Sequence, residues 1–335
     1  MTTPKPFSRI SSHTNGSSRL WFFVLILVLL LVLGVSLALG SYPISVQTLL
    51  AWVVGQADVT AAQILSEVRA PRVFLALLVG SSLGMTGPLL QAGFRTSLAD
   101  SYLLGLAGFA ALGAVLLQQI GMAGFGTPVL ASMGAGFAVW LLSQLSFERS
   151  SERRALIGVA LASISLAGLA LLLALSQSPS SANVLGWVVG GFYALGTSQL
   201  WLMLPFAVFG LGLGLMLGRT ANLLQLGDDV AENLGLNAKS SRNLVLMLAA
   251  LLTGVAVGTS GLMGFVGLLA VSLARAIFGT DYRKLLPASA LLGGIFVSLA
   301  DVLGRTLLAP NEIPAGAFTT VLGGIYLMVL SRRAS

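Results

Sequence analysis

The sequence has no cysteine, a single histidine and few charged side chains. The absence of cysteine excludes disulfide bonds and thiolate metal sites. The one histidine, His13, lies in a polar stretch ahead of the first apolar run, so a histidine-based metal site or catalytic triad has no second ligand or partner. We therefore expect no metal and no cofactor. Charged residues make up 9% of the chain, against about a quarter in soluble domains, which indicates that the lipid bilayer surrounds most of the protein.

Apolar residues and glycine are abundant instead. Hydrophobic residues account for 56% of the 335 residues, and there are 40 glycines, which transmembrane helices use for close packing. A helix needs about 20 apolar residues to cross a bilayer, so the uncharged stretches can be counted as spans. Single spans are predicted at 20–40, 73–94, 285–300 and 313–331, and pairs of spans at 101–147, 155–218 and 243–274. The chain is thus predicted to be an all-α membrane protein with about ten transmembrane helices.

Each pair of spans must be separated by a break. The first span is either a membrane anchor or a signal peptide. We expect breaks at 121–128, 177–183 and 258–261, with a short amphipathic piece around Trp187. A polar tail of 19 residues precedes the first apolar run, and no clear cleavage site of small residues follows it. We therefore interpret the first span as a retained anchor.

The basic residues are distributed unevenly over this ten-span arrangement. If the N-terminus is cytoplasmic, 15 of the 18 lysines and arginines fall on cytoplasmic segments, and only Arg69, Arg72 and Arg305 fall outside. This bias follows the positive-inside rule, so the net charge of +7 reflects topology and does not indicate nucleic acid. Both termini are predicted to be cytoplasmic, with tails at 1–19 and 332–335 and one transmembrane domain at 20–331.

One glycine pattern occurs twice, in the second and in the seventh predicted span. Each copy begins with two leucines and continues with glycines at the same spacing. The glycines are Gly80, Gly84 and Gly87 in one copy and Gly254, Gly258 and Gly261 in the other. The two spans run in opposite directions in the predicted topology, which is typical of an inverted-repeat core in transporters. Helix packing through small residues explains the same spacing equally well.

Several short motifs follow one another between about residues 60 and 330. They are Arg69-Ala70-Pro71-Arg72 with Gly87-Pro88-Leu89-Leu90-Gln91, Arg95–Ser101 with Leu103-Leu104-Gly105, Leu226–Gly235, Gly264–Leu268, Ala300–Arg305 and Glu312–Thr320. Their order resembles the FecCD family, the permeases of binding-protein-dependent ABC importers for iron-siderophores, haem and vitamin B12. The resemblance implies a permease subunit in the cell inner membrane. Its first expected cargo is a ferric siderophore, with haem or vitamin B12 as alternatives.

The chain departs from the family pattern at three places. Val271-Ser272 stands where the family has Pro-His, Thr96-Ser97 replaces Asn-Pro, and the ending reads Gly323-Gly324-Ile325-Tyr326-Leu327. Similar endings occur in permeases of ferric-catecholate systems, which often work as unlike pairs. The second permease subunit is therefore expected to be either an identical copy or a sister permease.

The resemblance also implies a docking site on the outer side. Arg69, Arg72 and Arg305 are expected to face the periplasm and to pair with glutamates of a periplasmic or lipoprotein substrate-binding protein. Arginine suits this role because its fork binds a carboxylate through two hydrogen bonds. The alternative is local pairing, since Asp58 and Glu67 lie near Arg69 and Asp301 lies four residues before Arg305.

On the cytoplasmic side, the segment from 221 to 235 resembles the coupling helix that binds the ATPase subunit. The residues expected to form it are Leu226, Gly227, Asp228, Asp229, Ala231, Glu232, Leu234 and Gly235. A solvated acidic loop is the alternative. The chain has no Walker A motif, so it is not expected to be an enzyme, and a separate ABC ATPase must hydrolyse the ATP.

No charged residue falls deep within a predicted span. This argues against the main alternative function, a secondary transporter with inverted repeats, because such carriers need coupling residues in the membrane. It favours a pathway that passes a bulky substrate without binding it tightly. Gln91 and the two glycine sets are candidates for lining that pathway, and a buried Gln91 with its hydrogen bonds satisfied internally is the alternative.

Overall fold

The computed structural model describes residues 15–40, 44–119, 124, 126–146, 151–175, 186–193, 195–309 and 311–334. Within these ranges all regular secondary structure is helical, as predicted. The predicted tail up to residue 14, residues 121–123 and 125 of the break predicted at 121–128, and the polar segment at 177–183 lie outside the described residues.

The described helices fall into long apolar spans and short connecting elements. They are α1 (Asn15–Ala38), α2 (Val46–Val53), α3 (Val59–Gln63), a π-helical turn (Ile64–Arg69), α4 (Ala70–Phe94), α5 (Leu106–Gln119), α6 (Gly126–Ser146), α7 (Ser151–Leu175), α8 (Thr197–Met216), α9 (Gly218–Gln225), α10 (Asp228–Asn233), α11 (Ala238–Ser260), α12 (Val266–Phe278), α13 (Tyr282–Thr306) and α14 (Ala315–Ala334). Seven of these segments are long and apolar enough to cross a membrane, and α5, α12 and α14 are shorter apolar helices. The predicted set of about ten apolar helices is confirmed for the described residues.

Three helices form the centre of the bundle. Most of the apolar stretch is buried in Val59–Phe94 (83%), in α11 (78%) and in α13 (72%), whereas only 17% of α1 and 22% of α7 is buried. The central helix α4 and the outer helix α7 are both apolar on every side, so hydropathy alone does not separate central helices from lipid-facing ones. Glycine and other small residues do, because they allow helix backbones to approach closely.

The glycines of the second span bring α4 against α13 and α12. A Cβ added at Gly84 would lie 2.9 Å from the Cα of Gly293, and one added at Gly80 would lie 2.9 Å from the Cα of Gly294. A Cβ added at Gly87 would lie 3.0 Å from the Cα of Gly267 on α12. The neighbours are backbone atoms and cannot rotate away, so these positions require glycine.

The matching glycines of α11 make a second close contact, against α6 and the segment around Trp187. A Cβ added at Gly254 would lie 2.6 Å from Ser132 Oγ, and one at Gly258 would lie 3.0 Å from Ala131 Cβ. Gly261 has a left-handed φ of 77° and ends α11 against the Trp187 backbone. Both glycine sets thus pack helices together, which agrees with the packing interpretation. Their relation as an inverted repeat stays a prediction.

Contacts between helix ends define two ends of the bundle. At the first, called here the Arg72 end, the last turn of α1 meets the start of α4 and the last turns of α13. At the second, the Asp228 end, α10 and the start of α11 meet the residue after α4. The candidate site residues lie mainly at these two ends.

Candidate functional site

The three predicted docking arginines lie at the Arg72 end, and two of them, Arg72 and Arg305, share one buried carboxylate. Arg72 Nη2 lies 2.8 Å from Asp301 Oδ1 and 2.9 Å from Glu312 Oε2. Arg305 Nε lies 3.4 Å from Asp301 Oδ2, an ion-pair distance without hydrogen-bond geometry. Asp301 is 2% exposed and sits between the two guanidinium groups. The predicted local pair of Asp301 with Arg305 is therefore present.

Arg69 and Arg305 also close the end of α1. Arg69 Nη1 donates to the carbonyl oxygens of Leu37 (2.8 Å) and Ala38 (3.0 Å), and Arg305 Nη2 donates to the carbonyl of Ser36 (2.6 Å). Carbonyls at a helix C-terminus lack helical partners and carry partial negative charge, so arginines stabilise this end. Both arginines are 5% exposed, whereas the Arg72 side chain is 13% exposed. Among the three, Arg72 has the most accessible side chain.

At the Asp228 end, the short helix α10 is bounded by two glycines. Gly227 has a φ of 109° and Gly235 a φ of 83°, a region of backbone conformation that side chains rarely adopt. Asp228, the first residue of α10, accepts hydrogen bonds from Arg95 and Arg242. Burial by itself raises the pKa of Asp228, but hydrogen bonds and charge from Arg242 and Arg95 outweigh it and hold the pKa below its ordinary value. Asp228 therefore stays ionised and ties α10 to α4 and α11.

The opposite side of this segment is open. Leu226, Val230 and Leu234 follow one another at intervals of four residues and are 58%, 44% and 59% exposed. Asp229 and Glu232 are exposed beside them, while Ala231 is buried against the bundle. Val230 and Leu234 share one helical face, because the Leu234 N–H donates to the Val230 carbonyl. Leu226, ahead of the turn at Gly227, is a third exposed apolar side chain of the same segment, and acidic groups flank this apolar row. The row is a candidate contact surface.

Helix α9 connects this segment to the ends of two bundle helices, α4 and α13. Gln225 Nε2 donates to the carbonyl of Gln91 at the end of α4 (3.1 Å). Asn222 Nδ2 donates to Asp281 Oδ1 (2.7 Å), and its own Oδ1 accepts from the Tyr282 N–H (2.9 Å) at the start of α13. Arg275, in the last turn of α12, donates to Oε1 of Gln91 and so joins α12 to α4. Movement of this segment would thus act directly on α4 and α13, and on α12 only through Gln91.

Gln91 is 2% exposed and takes part in internal hydrogen bonds. Its Nε2 donates to the carbonyl of Ser97 (2.8 Å), and its Oε1 accepts from Arg275. This is the arrangement of the alternative interpretation, a buried glutamine satisfied within the bundle. A role in lining the pathway stays a prediction for Gln91.

Sequence reasoning missed Asp100, a carboxylate inside the bundle that belongs to no helix. It is 1% exposed. Its Oδ1 accepts from the Tyr102 N–H (2.9 Å) and its Oδ2 from the Leu268 N–H in the first turn of α12 (3.0 Å). Asp100 lies beside Gly267, and Gly267 packs on Gly87 of α4. Gly87 precedes the last residue of α4 by seven positions, which corresponds to about 10 Å along the helix axis. The predicted spans have charge-free centres, yet a loop carries this carboxylate into the bundle.

Asp100 caps α12 from outside that helix. Phe265, the residue before α12, has a left-handed φ of 62° that a side chain rarely adopts, and its ring packs on Tyr102 with centroids 5.4 Å apart. With this geometry no residue next to α12 in sequence caps its N–H groups through a side chain. The side-chain oxygen of Asp100 supplies the cap by accepting from the Leu268 N–H. The sequence signal was its place in the Arg95–Ser101 motif.

Asp100→Ala is expected to lower the free energy of unfolding by about 2–5 kcal/mol, since the Tyr102 and Leu268 N–H groups would remain buried without acceptors. Asp100→Asn, which keeps one acceptor oxygen, is expected to lose less. Hydrogen exchange on the full chain in detergent should show faster exchange at Leu268 in the alanine variant. Asp229→Ala, at an exposed carboxylate, is the matched control. Unchanged exchange at Leu268 would show that Asp100 does not cap α12.

The comparisons with known proteins agree with this architecture. The model of the FecCD transport family matches residues 26–333. The ABC transporter permease protein YvrB of Bacillus subtilis, itself uncharacterized, is 34% identical over 98% of this chain and 98% of its own length. The hemin transport system permease protein HmuU of Yersinia pestis is 36% identical over 93% of this chain and 94% of its own length.

A solved structure extends the agreement to three dimensions. A transporter assigned to the metal-chelate type of ABC transporters, in an inward-facing conformation, superposes with a TM-score of 0.81 and 28% sequence identity. The match covers 94% of this chain and 99% of that one. By sequence and by fold, this multi-pass membrane protein belongs to the FecCD transport family.

Proposed function

We propose that this chain is the transmembrane permease subunit of an ABC importer that moves a chelated-iron nutrient into the cytoplasm. A separate ABC ATPase would drive the import, and a second permease subunit would complete the pathway. The observation that carries the proposal is the exposed row of Leu226, Val230 and Leu234 on a short segment anchored by Asp228. Exposed carboxylates at Asp229 and Glu232 flank the row, which favours a protein partner over lipid as its contact.

The orientation follows from the basic residues. The Asp228 end carries Arg95, Arg242 and Arg275, and its assignment to the cytoplasm agrees with the positive-inside rule. Both termini are then cytoplasmic, residues 20–331 form one permease domain, and the membrane is the cell inner membrane. The Arg72 end faces the periplasm or the cell exterior.

The proposed cargo is a metal chelate or a related macrocycle. The relatives are named for the import of hemin, ferric citrate, hydroxamate-bound iron and vitamin B12. These cargoes are all bulky, and glycine packing closes two of the helix contacts, that of α4 with α13 at Gly80 and Gly84 and that of α11 with α6 at Gly254 and Gly258. We therefore place the pathway at the contact with the second permease subunit, identical or sister, and regard a ferric siderophore as its first candidate cargo.

At the Arg72 end we propose docking of the substrate-binding protein. The Arg72 guanidinium is shared between Asp301, which is buried, and Glu312, whose side chain is 26% exposed. A glutamate of the binding protein could replace Glu312 while Asp301 keeps Arg72 in place. Arg69 and Arg305 would support this surface from inside by holding the end of α1.

A secondary transporter is the alternative function. Asp100, buried in the bundle, is the feature that could favour it, because carboxylates at membrane depth couple ion movement in such carriers. However, both of its oxygens accept hydrogen bonds from backbone N–H groups, as expected of a structural cap. The exposed row on α10 also has no function in a carrier that works without an ATPase.

A crossed binding experiment tests the proposal. Charge reversal by Asp229→Lys with Glu232→Lys is expected to weaken ATPase binding at least about tenfold, and to leave the binding protein attached. Arg72→Lys keeps the charge but loses the fork, so it is expected to weaken binding-protein docking about tenfold without affecting the ATPase. Both interactions are measured by pull-down from membranes that contain all subunits.

Each variant is the control for the other. If the Asp229 and Glu232 variant still hydrolyses ATP in step with uptake, the acidic helix is only a solvated loop. If neither an ATPase nor a binding protein is retained by the wild-type chain, the importer proposal itself is wrong.

A further inference from the structure

A cluster of arginines at the Asp228 end has more positive charge than its acidic partner can balance. Arg95 and Arg242 both donate to the same oxygen of Asp228. Arg154, in the first turns of α7, lies near enough to Arg242 and Arg95 for their charges to repel its own. Within the part of the chain that the structure describes, the cluster thus holds three guanidinium groups and one carboxylate.

Arg154 is the member without a counter-ion among the residues that the structure describes. Its Nε is buried and has no hydrogen-bond partner. An unpaired buried donor on a cation is costly, and two like charges nearby add to the cost. An anion bound there would give the guanidinium a partner and offset the repulsion. The cluster is open to one, since the side chains of Arg95, Arg242 and Asp228 are 26%, 24% and 42% exposed.

The surroundings indicate what kind of anion this is. Arg154 stands at the start of the apolar stretch of α7, of which only 22% is buried, and Leu156 and Val159 just beyond it are 70% and 50% exposed. An acyl chain can lie along this face while its headgroup reaches the guanidiniums. Arginine forks match phosphate oxygens, and basic pockets between helices on the cytoplasmic side bind acidic headgroups.

We propose that Arg154, Arg95 and Arg242 form a binding site for the phosphate group of an anionic phospholipid. The site lies behind the row of Leu226, Val230 and Leu234, where α10 meets α4 and α11. A lipid bound there would neutralise the cluster and hold α7 against the contact surface. The proposal goes beyond transport and does not depend on which cargo is carried.

The test compares lipid binding by the full-length chain and by two single variants. Native mass spectrometry in neutral detergent measures retention of phosphatidylglycerol against phosphatidylcholine. Arg154→Gln is expected to weaken phosphatidylglycerol binding about tenfold, because it removes one or two charge-assisted hydrogen bonds to the phosphate. Arg153→Gln, which removes the same charge from the exposed neighbouring residue, is expected to change it less than about twofold. Arg154→Lys, which keeps the charge and favours folding, is expected to show an intermediate loss.

Three outcomes would overturn the proposal. Equal losses in the Arg153 and Arg154 variants would mean general charge attraction. If millimolar inorganic phosphate abolishes the preference for phosphatidylglycerol, the site binds a soluble anion. An unchanged lipid preference together with lost ATPase binding in Arg154→Gln would mean that the cluster contacts a protein. Glu148 and Glu152 lie nearby in sequence with side chains outside the described residues, and their double replacement by glutamine should leave the lipid preference intact.

Discussion

Replacing Asp301 by asparagine is expected to lower the free energy of unfolding by about 3–5 kcal/mol, because it removes one partner of a buried ion pair and leaves cations behind. Asp301 is the carboxylate that Arg72 and Arg305 share, at 2.8 Å and 3.4 Å. Arg305 is 5% exposed and would lose its carboxylate, while Arg72 would keep only Glu312. Thermal or denaturant unfolding of the purified chain in detergent measures the loss.

Two further variants separate the buried pair from charge in general. Asp229→Asn removes one carboxylate from the exposed side of α10 and is expected to change stability by less than about 0.5 kcal/mol. Arg305→Met, which fills similar space without a charge, is expected to restore part of the stability when combined with Asp301→Asn. If Asp301→Asn and Asp229→Asn unfold alike, the pairs at the Arg72 end do not stabilise the bundle.

Gly84→Val is expected to prevent α4 from packing on α13 and to abolish most folded protein. The first added carbon would lie 2.9 Å from the Cα of Gly293, and its other neighbours are also backbone atoms. Overpacking a core costs about 1–3 kcal/mol where side chains can move, and here two helix axes would have to separate. Size-exclusion chromatography of the fluorescently tagged chain measures the folded fraction.

The lipid-facing helix α8 offers a matched control for this substitution. Gly212 is exposed within that helix, four residues before its last residue, and nothing lies within 4 Å of an added Cβ. Gly212→Val is therefore expected to leave the folded fraction nearly unchanged, and Gly84→Ala to give an intermediate result. If Gly84→Val and Gly212→Val lower the folded fraction equally, the close approach of α13 is not the reason that position 84 requires glycine.

Much of the fold was predictable because crossing a bilayer imposes a length and a charge pattern on each helix. The uncharged stretches and the glycine break after Ser260 located the apolar helices within a few residues. The same reasoning could not predict which helices are buried in the centre of the bundle. Helices α4 and α7 are both apolar on all sides, yet α4 is central and α7 faces lipid. Only the close approaches at Gly80, Gly84 and Gly293 decide which helix lies in the centre.

The sequence predicted which residues belong to the candidate sites, but it did not predict which partners these residues contact. Arg69, Arg72 and Arg305 stood out because the predicted topology places them outside, against the positive-inside rule. Their contacts with Asp301 and with the end of α1 depend on three helices meeting. Asp100 escaped notice because a scan of spans passes over loops. Arg154 looked like one of many cytoplasmic arginines until its neighbours were known.

The sequence by itself determined that the chain is a helical membrane protein, which side its basic residues favour, and which family its motifs resemble. Composition and local spacing are enough for this, because the bilayer acts on each helix separately. Tertiary structure alone decided that both glycine sets close helix contacts, that Gln91 takes part in internal hydrogen bonds, and that Asp100 caps a helix 168 residues away. These properties depend on distances between segments far apart in the chain, and no local pattern encodes them.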